Sequence, residues 1–143
     1  MKYQYNDGGR KAAGYKGETG DCGARAIAIV TGMSYQAAYE LVNHYGGMER
    51  KSKKRSHKTN ARTGVHSATM RRIMESLGWK WHPTMLIGQG CKTHLRADEL
   101  PTGRLLVNVS KHYTVVIDGV IHDNHDPSRE GKRCVYGYFK ETK

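Results

Sequence analysis

The chain has 143 residues, with 24 Lys and Arg against 13 Asp and Glu, a formal charge of +11. That is one domain's worth of chain, and 37% hydrophobic with 26% charged residues argues against disorder. No run approaches the ~20 apolar residues of a membrane span, and the first sixteen residues lack an apolar signal-peptide core. The expectation is a cytoplasmic protein with no membrane partner, whose excess positive charge suits a polyanion or an acidic surface.

Residues 1 to 20 are rich in Gly, Tyr and Lys and show neither helical nor strand periodicity, so they read as an irregular lead-in. At Asp21 the pattern changes to an Ala-rich apolar run through Val30, a buried helix with Asp21 as N-cap, Cys22 in its first turn and Gly32 as its stop. Ser34 caps a second helix through Tyr35, Ala38, Leu41 and Val42, ending at Gly46-Gly47. Residues 48 to 64 hold seven Lys or Arg and almost nothing apolar, which predicts a solvated, mobile basic loop. Met70, Ile73, Met74 and Leu77 form the inward stripe of a third helix over His66–Leu77.

From Trp79 the chain turns to strands. Trp79 and Trp81 alternate with Lys80, as a strand with one buried face requires. The stretch from Pro83 to Leu100 is broken by glycines and has no assignable period. Arg104–Val109 and His112–Ile117 are strands, Asp118-Gly119 is a two-residue hairpin turn into Val120–Asp123, and Cys134–Phe139 closes the set. Helices followed by an antiparallel sheet make the fold class α+β, a single domain over 1–143.

Cys22 carries the chemistry. A helix N-terminus favours negative charge, so a cysteine there is placed to be a thiolate nucleophile. Such a nucleophile needs a base, and the base an orienting group. Residues paired across an Asp118-Gly119 turn have numbers summing to about 237. His112 and Asp123 therefore fall at the same end of neighbouring strands, about 4.5–8 Å apart at Cβ. Asp123 and Asn124 cannot both face His112 on a regular strand.

Asp21-Cys22-Gly23-Ala24-Arg25-Ala26-Ile27-Ala28, His112-Tyr113-Thr114-Val115-Val116-Ile117-Asp118-Gly119 and Val120-Ile121-His122-Asp123-Asn124 follow one another in the order of the papain-like cysteine peptidases. The chain resembles most the small bacteriophage-type members and the C39-type processing peptidases. The resemblance implies a papain-like fold with N-terminal helices on a C-terminal sheet. It implies Cys22 as nucleophile, His112 as base and then acid, and Asp123 as orienting residue, with Asn124 the runner-up. It further implies a protein or peptide substrate, such as a host factor met in host cytoplasm. The family's oxyanion Gln about six residues before the cysteine is replaced by Lys16; Glu18 and Thr19 are the nearest polar side chains, and Gln4 would have to fold back.

The alternative is a catalytically inactive binding module that grips an acidic protein or nucleic acid through Lys51, Lys53, Lys54, Arg55 and Lys58. That run lacks the interleaved aromatics of base stacking. His122, His125 and Asp126 crowd a strand end, but no metal motif surrounds them, and no cofactor is expected. Cys22, Cys91 and Cys134 are odd in number, widely spaced and without a CxxC pair. They are expected to be reduced, with no thiolate zinc site, and with Cys91 and Cys134 remote from any functional histidine.

Overall fold

A computed structural model describes residues 1–15, 20–49, 59–62 and 64–142. The elements in chain order are β1 (Lys2–Tyr5), α1 (Cys22–Thr31), α2 (Tyr35–Gly47), α3 (Ser67–Ser76), β2 (Trp79–Pro83), β3 (Arg104–Val109), β4 (His112–Ile117), β5 (Val120–Asp123) and β6 (Val135–Glu141). The α+β class holds. The strands form one six-stranded sheet in the order β1-β5-β4-β3-β6-β2.

Two expectations about the sheet need correction. It is mixed rather than antiparallel, because β1 joins its edge parallel to β5, pairing Lys2 with Val120 and Tyr5 with Asp123. The lead-in is therefore partly strand. All four β1 residues are exposed, so no buried face marks the strand, and its only trace is a four-residue alternation of Tyr3 and Tyr5 with Lys2 and Gln4.

Strand alternation gives the sheet two apolar faces. Leu106, Tyr113, Val115 and Phe139 face the cluster formed by Ala24, Ile27, Val42, Met70 and Ile73 of the three helices. Leu105, Val107, Val109, Val116, Ile121 and Val135 lie in the second cluster, together with Leu95 and Leu100. The stretch without assignable period thus contributes two side chains to a core instead of an element. Trp79 and Trp81 both pack on the helical side. Gly137, paired with Pro83 and Asn108, leaves room for Trp81: a Cβ there would lie 2.4 Å from the Trp81 ring.

α2 begins as expected, with the Ser34 hydroxyl accepting from the Ala37 N–H at 3.1 Å. α1 does not. Asp21 precedes it but makes no capping bond. Its carboxylate instead accepts from the Tyr35 hydroxyl at 2.7 Å and pairs with Arg25 and with Arg10 Nε at 3.0 Å. A buried charge takes its strongest available partners, and two guanidinium groups outcompete a backbone N–H.

Residues 50–58 of the basic run lie outside the described residues, but its flanks are held rather than solvated. Buried Glu49 accepts from the Thr59 N–H at 2.8 Å and from the Thr69 hydroxyl, and Asn43 Oδ1 accepts from the Ala61 N–H at 2.9 Å.

Cys91 and Cys134 are joined as a disulfide, with Cα atoms 5.8 Å apart, correcting the expectation that both are thiols. Residue spacing could not reveal this, since the pair is 43 positions apart and is brought together by an isolated antiparallel bridge between His94 and Cys134. Among the described residues no helix is long and apolar enough to cross a membrane.

Candidate active site

The hairpin register is the one the turn predicts: Ile117 pairs with Val120, Val116 with Ile121 and Val115 with His122. Asp118 and Gly119 have φ of 47° and 80°, the left-handed pair that a two-residue turn needs. His112 enters β4 straight after the Ser110-Lys111 turn, opposite Val109. A register shift at Asn108/Val109 lies beside it, where bulges commonly re-aim side chains.

His112 Nε2 stands 2.7 Å from Asp123 Oδ2. Asp123 is 3% exposed, and its other oxygen accepts from the Asn124 N–H at 2.7 Å. Arg25 Nη2 lies 3.9 Å from that oxygen, so one buried guanidinium touches both Asp21 and Asp123. Asn124 lies just past the end of β5, and its side-chain oxygen meets His125 Nδ1 at 2.7 Å.

Cys22 is the free cysteine among the described residues, half-buried at the first turn of α1. Burial raises its thiol pKa. A hydrogen bond with His112, the His112 charge, the Tyr113 N–H and the Arg25 charge together outweigh burial, and the pKa falls below the ordinary thiol value. Burial likewise lowers His112, but the bond to Asp123 and the contact with Cys22 reverse it and hold the imidazole up at about 9. Asp123 is raised by burial and lowered by more through His112 and the Asn124 N–H. All three shifts run in the direction that stabilises the charged form of each group.

Because Asp21 spends its carboxylate on Arg10, Arg25 and Tyr35, the first-turn N–H groups of α1 carry no side-chain cap. The Cys22 N–H, at the first position of α1, belongs to the helix-start donors that have no intrahelical acceptor, and it lies beside the sulfur where a developing oxyanion could use it. Gly23 lets the helix start approach Val65: a Cβ there would stand 2.6 Å from Val65 Cγ2.

The sulfur and the imidazole share a cleft of about 370 Å³, bordered also by His66, Ser67, Asn108 and Tyr136. A cavity of about 160 Å³, walled by Trp81, Phe139 and Arg71, shares Ser67, Asn108 and Tyr113 with it. Sequence reasoning missed Arg25 and Asn108. Each carried a signal: Arg25 is the lone charge inside an apolar helix, four residues after Asp21, and Asn108 is the polar residue of an apolar strand.

Gln4 is not brought to the site. It sits on edge strand β1, paired with His122, and its amide donates to its neighbour's carbonyl, Tyr5 O. Lys16, Glu18 and Thr19, and the partner-binding candidates Lys51, Lys53, Lys54, Arg55 and Lys58, lie outside the described residues.

Two clusters have metal-ligand composition. The ligand atoms of His112, Asp123 and His125 lie within 4.8 Å of one another, as do those of Cys91, His94 and Cys134. In the first, the 2.7 Å separation of His112 and Asp123 is a hydrogen-bond length. Nitrogen and oxygen ligands on a tetrahedral zinc stand about 3.3–3.6 Å apart, so that pair shares a proton rather than a metal. Comparison with family models, curated proteins and solved structures finds no match for this chain.

Proposed function

We propose that the chain is a papain-like thiol hydrolase that cleaves a peptide, isopeptide or related amide bond. The observation that carries this reading is the 2.7 Å His112–Asp123 bond at the wall of a cleft that Cys22 also lines. Cys22 Sγ attacks the carbonyl carbon, forming a C–S bond while the C=O π pair moves onto oxygen beside the Cys22 N–H. The His112 imidazolium then gives its proton to the leaving nitrogen as the C–N bond breaks, leaving a thioester on Cys22. His112, now neutral, takes a proton from water, whose oxygen attacks the thioester carbon. Collapse expels the thiolate and restores the ion pair. Asp123 holds the ring's orientation and its charge throughout.

The apolar cavity beside the cleft supports a substrate with a bulky apolar side chain next to the scissile bond, and the +11 charge favours an acidic protein or peptide. The cytoplasm, host cytoplasm for a phage-borne protein, is where such a substrate would be met, with a host factor as one candidate.

The test is alkylation by iodoacetamide at mildly acid pH, with adducts mapped on oxidised and reduced protein. Cys22 labels much faster than Cys91 and Cys134 in the reduced chain, and alkylated protein or Cys22→Ala fails to hydrolyse a peptide mixture that the native chain cleaves. Slow labelling of Cys22 at the rate of the other thiols rejects the reading and leaves the binding module, whose partner contact survives Cys22→Ala.

A further inference from the structure

The second cluster sits apart from Cys22, at the bridge between the β2–β3 connection and the start of β6. His94 and Cys134 are directly opposed, and the flanking bonds Val135 N–H to Thr93 O and Leu95 N–H to Arg133 O, both 2.8 Å, fix the two segments without help from the disulfide. Cys91, three residues before His94, returns its sulfur to 3.5 Å from His94 Nε2.

Three features match the demands of a tetrahedral soft-ligand centre. Sulfur at about 2.3 Å and nitrogen at about 2.0–2.1 Å from zinc stand about 3.5 Å apart, which is the observed Cys91–His94 separation. His94 Nδ1 lies 3.2 Å from Glu99 Oε1, and the same carboxylate accepts the His94 backbone N–H at 3.2 Å. A proton on Nδ1 leaves the Nε2 lone pair turned to the sulfurs, the carboxylate–histidine arrangement that orients metal ligands. Glu99 is itself held, with Oε2 3.4 Å from Arg96 Nε.

We propose that Cys91, His94 and Cys134 form a zinc site when the disulfide is reduced, so that this bridge is stapled by a sulfur–sulfur bond in one redox state and by a metal in the other. Reduction uses a dithiol: two electrons and two protons pass to Cys91 and Cys134, the S–S bond breaks, and the dithiol becomes a cyclic disulfide. Zinc then displaces both thiol protons, which leave to solvent, and accepts two thiolates and His94 Nε2. Water fills the fourth position. The residue spacing hid this site because its sulfurs come from Cys91-x-x-His94 and a lone Cys134, with no CxxC.

The experiment uses the full chain carrying Cys22→Ala, which removes the third thiol. Reduced protein titrated with Co²⁺ develops thiolate-to-cobalt charge-transfer and tetrahedral d–d bands at one equivalent; Zn²⁺ bleaches them and raises the melting temperature. Oxidised protein shows no charge-transfer band. Glu99→Gln weakens binding about 10- to 100-fold, His94→Ala abolishes the tetrahedral spectrum, and His125→Ala leaves it unchanged. Absence of the bands after reduction, or an unaltered spectrum in His94→Ala, or its loss in His125→Ala, overturns the proposal.

Discussion

Asp123→Asn keeps the shape of the side chain and removes its charge. The native carboxylate is almost fully buried and accepts from His112 at 2.7 Å. Near neutral pH the Cys22–His112 pair holds one proton between two sites, either on the ring (thiolate–imidazolium) or on sulfur (thiol–imidazole). Asp123 favours the first arrangement. A buried hydrogen bond to a charged group contributes about 1.5–3 kcal/mol, so neutralising the acceptor moves that equilibrium about 10- to 100-fold towards the unreactive pair. The assay is the second-order rate of Cys22 alkylation by iodoacetamide across the pH range, read by peptide mapping. Native protein shows thiolate reactivity below the ordinary thiol pKa. In Asp123→Asn the mildly acid rate falls by that factor, and the acid limb moves towards the ordinary value. A variant with an altered melting temperature but a superimposable pH profile would show that Asp123 serves stability alone, and would refute the coupled-proton reasoning.

Three further outcomes are expected. His112 has a folded pKa raised to about 9 from 6.5, so its contribution to stability is complete below 6.5 and lost as pH rises through the folded value. The depressed Cys22 thiol has the opposite sign, gaining stability as pH rises towards 9.0. Cys22→Ala removes the thiol's opposing contribution and also its share of the histidine's shift, so the melting temperature shows the smaller decline from mildly acid to alkaline pH that the Asp123 bond sustains, and adding His112→Gln flattens it. Gly23→Ala gains about 1 kcal/mol of helix propensity but places a methyl 2.6 Å from Val65 Cγ2, an overpacking cost of about 1–3 kcal/mol. Net loss in urea unfolding, together with slower Cys22 alkylation as Val65 shifts, is the expected pair of readings; unchanged stability and reactivity would show that Val65 gives way freely. Reducing the Cys91–Cys134 bond without metal frees a loop of 43-residue separation, which chain entropy values at about 4 kcal/mol. The urea midpoint falls accordingly, and Cys91→Ser falls with it.

What the sequence discloses follows from how locally each feature is specified. α2 and α3 start and stop where caps, glycines and apolar spacing say, and the β4–β5 register is dictated by two turn residues, Asp118 and Gly119. That single turn fixes the His112–Asp123 encounter, which is why two of the three site residues could be paired by arithmetic. Bringing Cys22 to them is a different matter. It depends on how α1 lies across β4, and the sequence announces that placement only through features that look ordinary in isolation: Gly23 making room for Val65, and Arg25 as a buried charge between two carboxylates.

The features that escaped share one physical origin. β1 pairs through backbone atoms while exposing all its side chains, so its short alternation of tyrosines with polar residues buries nothing that would announce it. The Cys91–Cys134 bond and the His94 contact arise where an aperiodic segment crosses the start of β6, a junction set by two backbone hydrogen bonds. Asp21 had the right identity and position for an N-cap, yet burial placed it between Arg10 and Arg25, and the stronger charge pairing won. That substitution of roles has a chemical consequence. An aspartate capping the first turn would occupy the N–H groups beside Cys22 and set a negative charge against its sulfur. Drawn instead into a guanidinium cluster, Asp21 gives those donors no side-chain cap, while the Arg25 charge helps lower the Cys22 thiol pKa and lies 3.9 Å from Asp123. On the proposed reading, the departure from the local rule falls where an uncapped helix start is of use to a nucleophile.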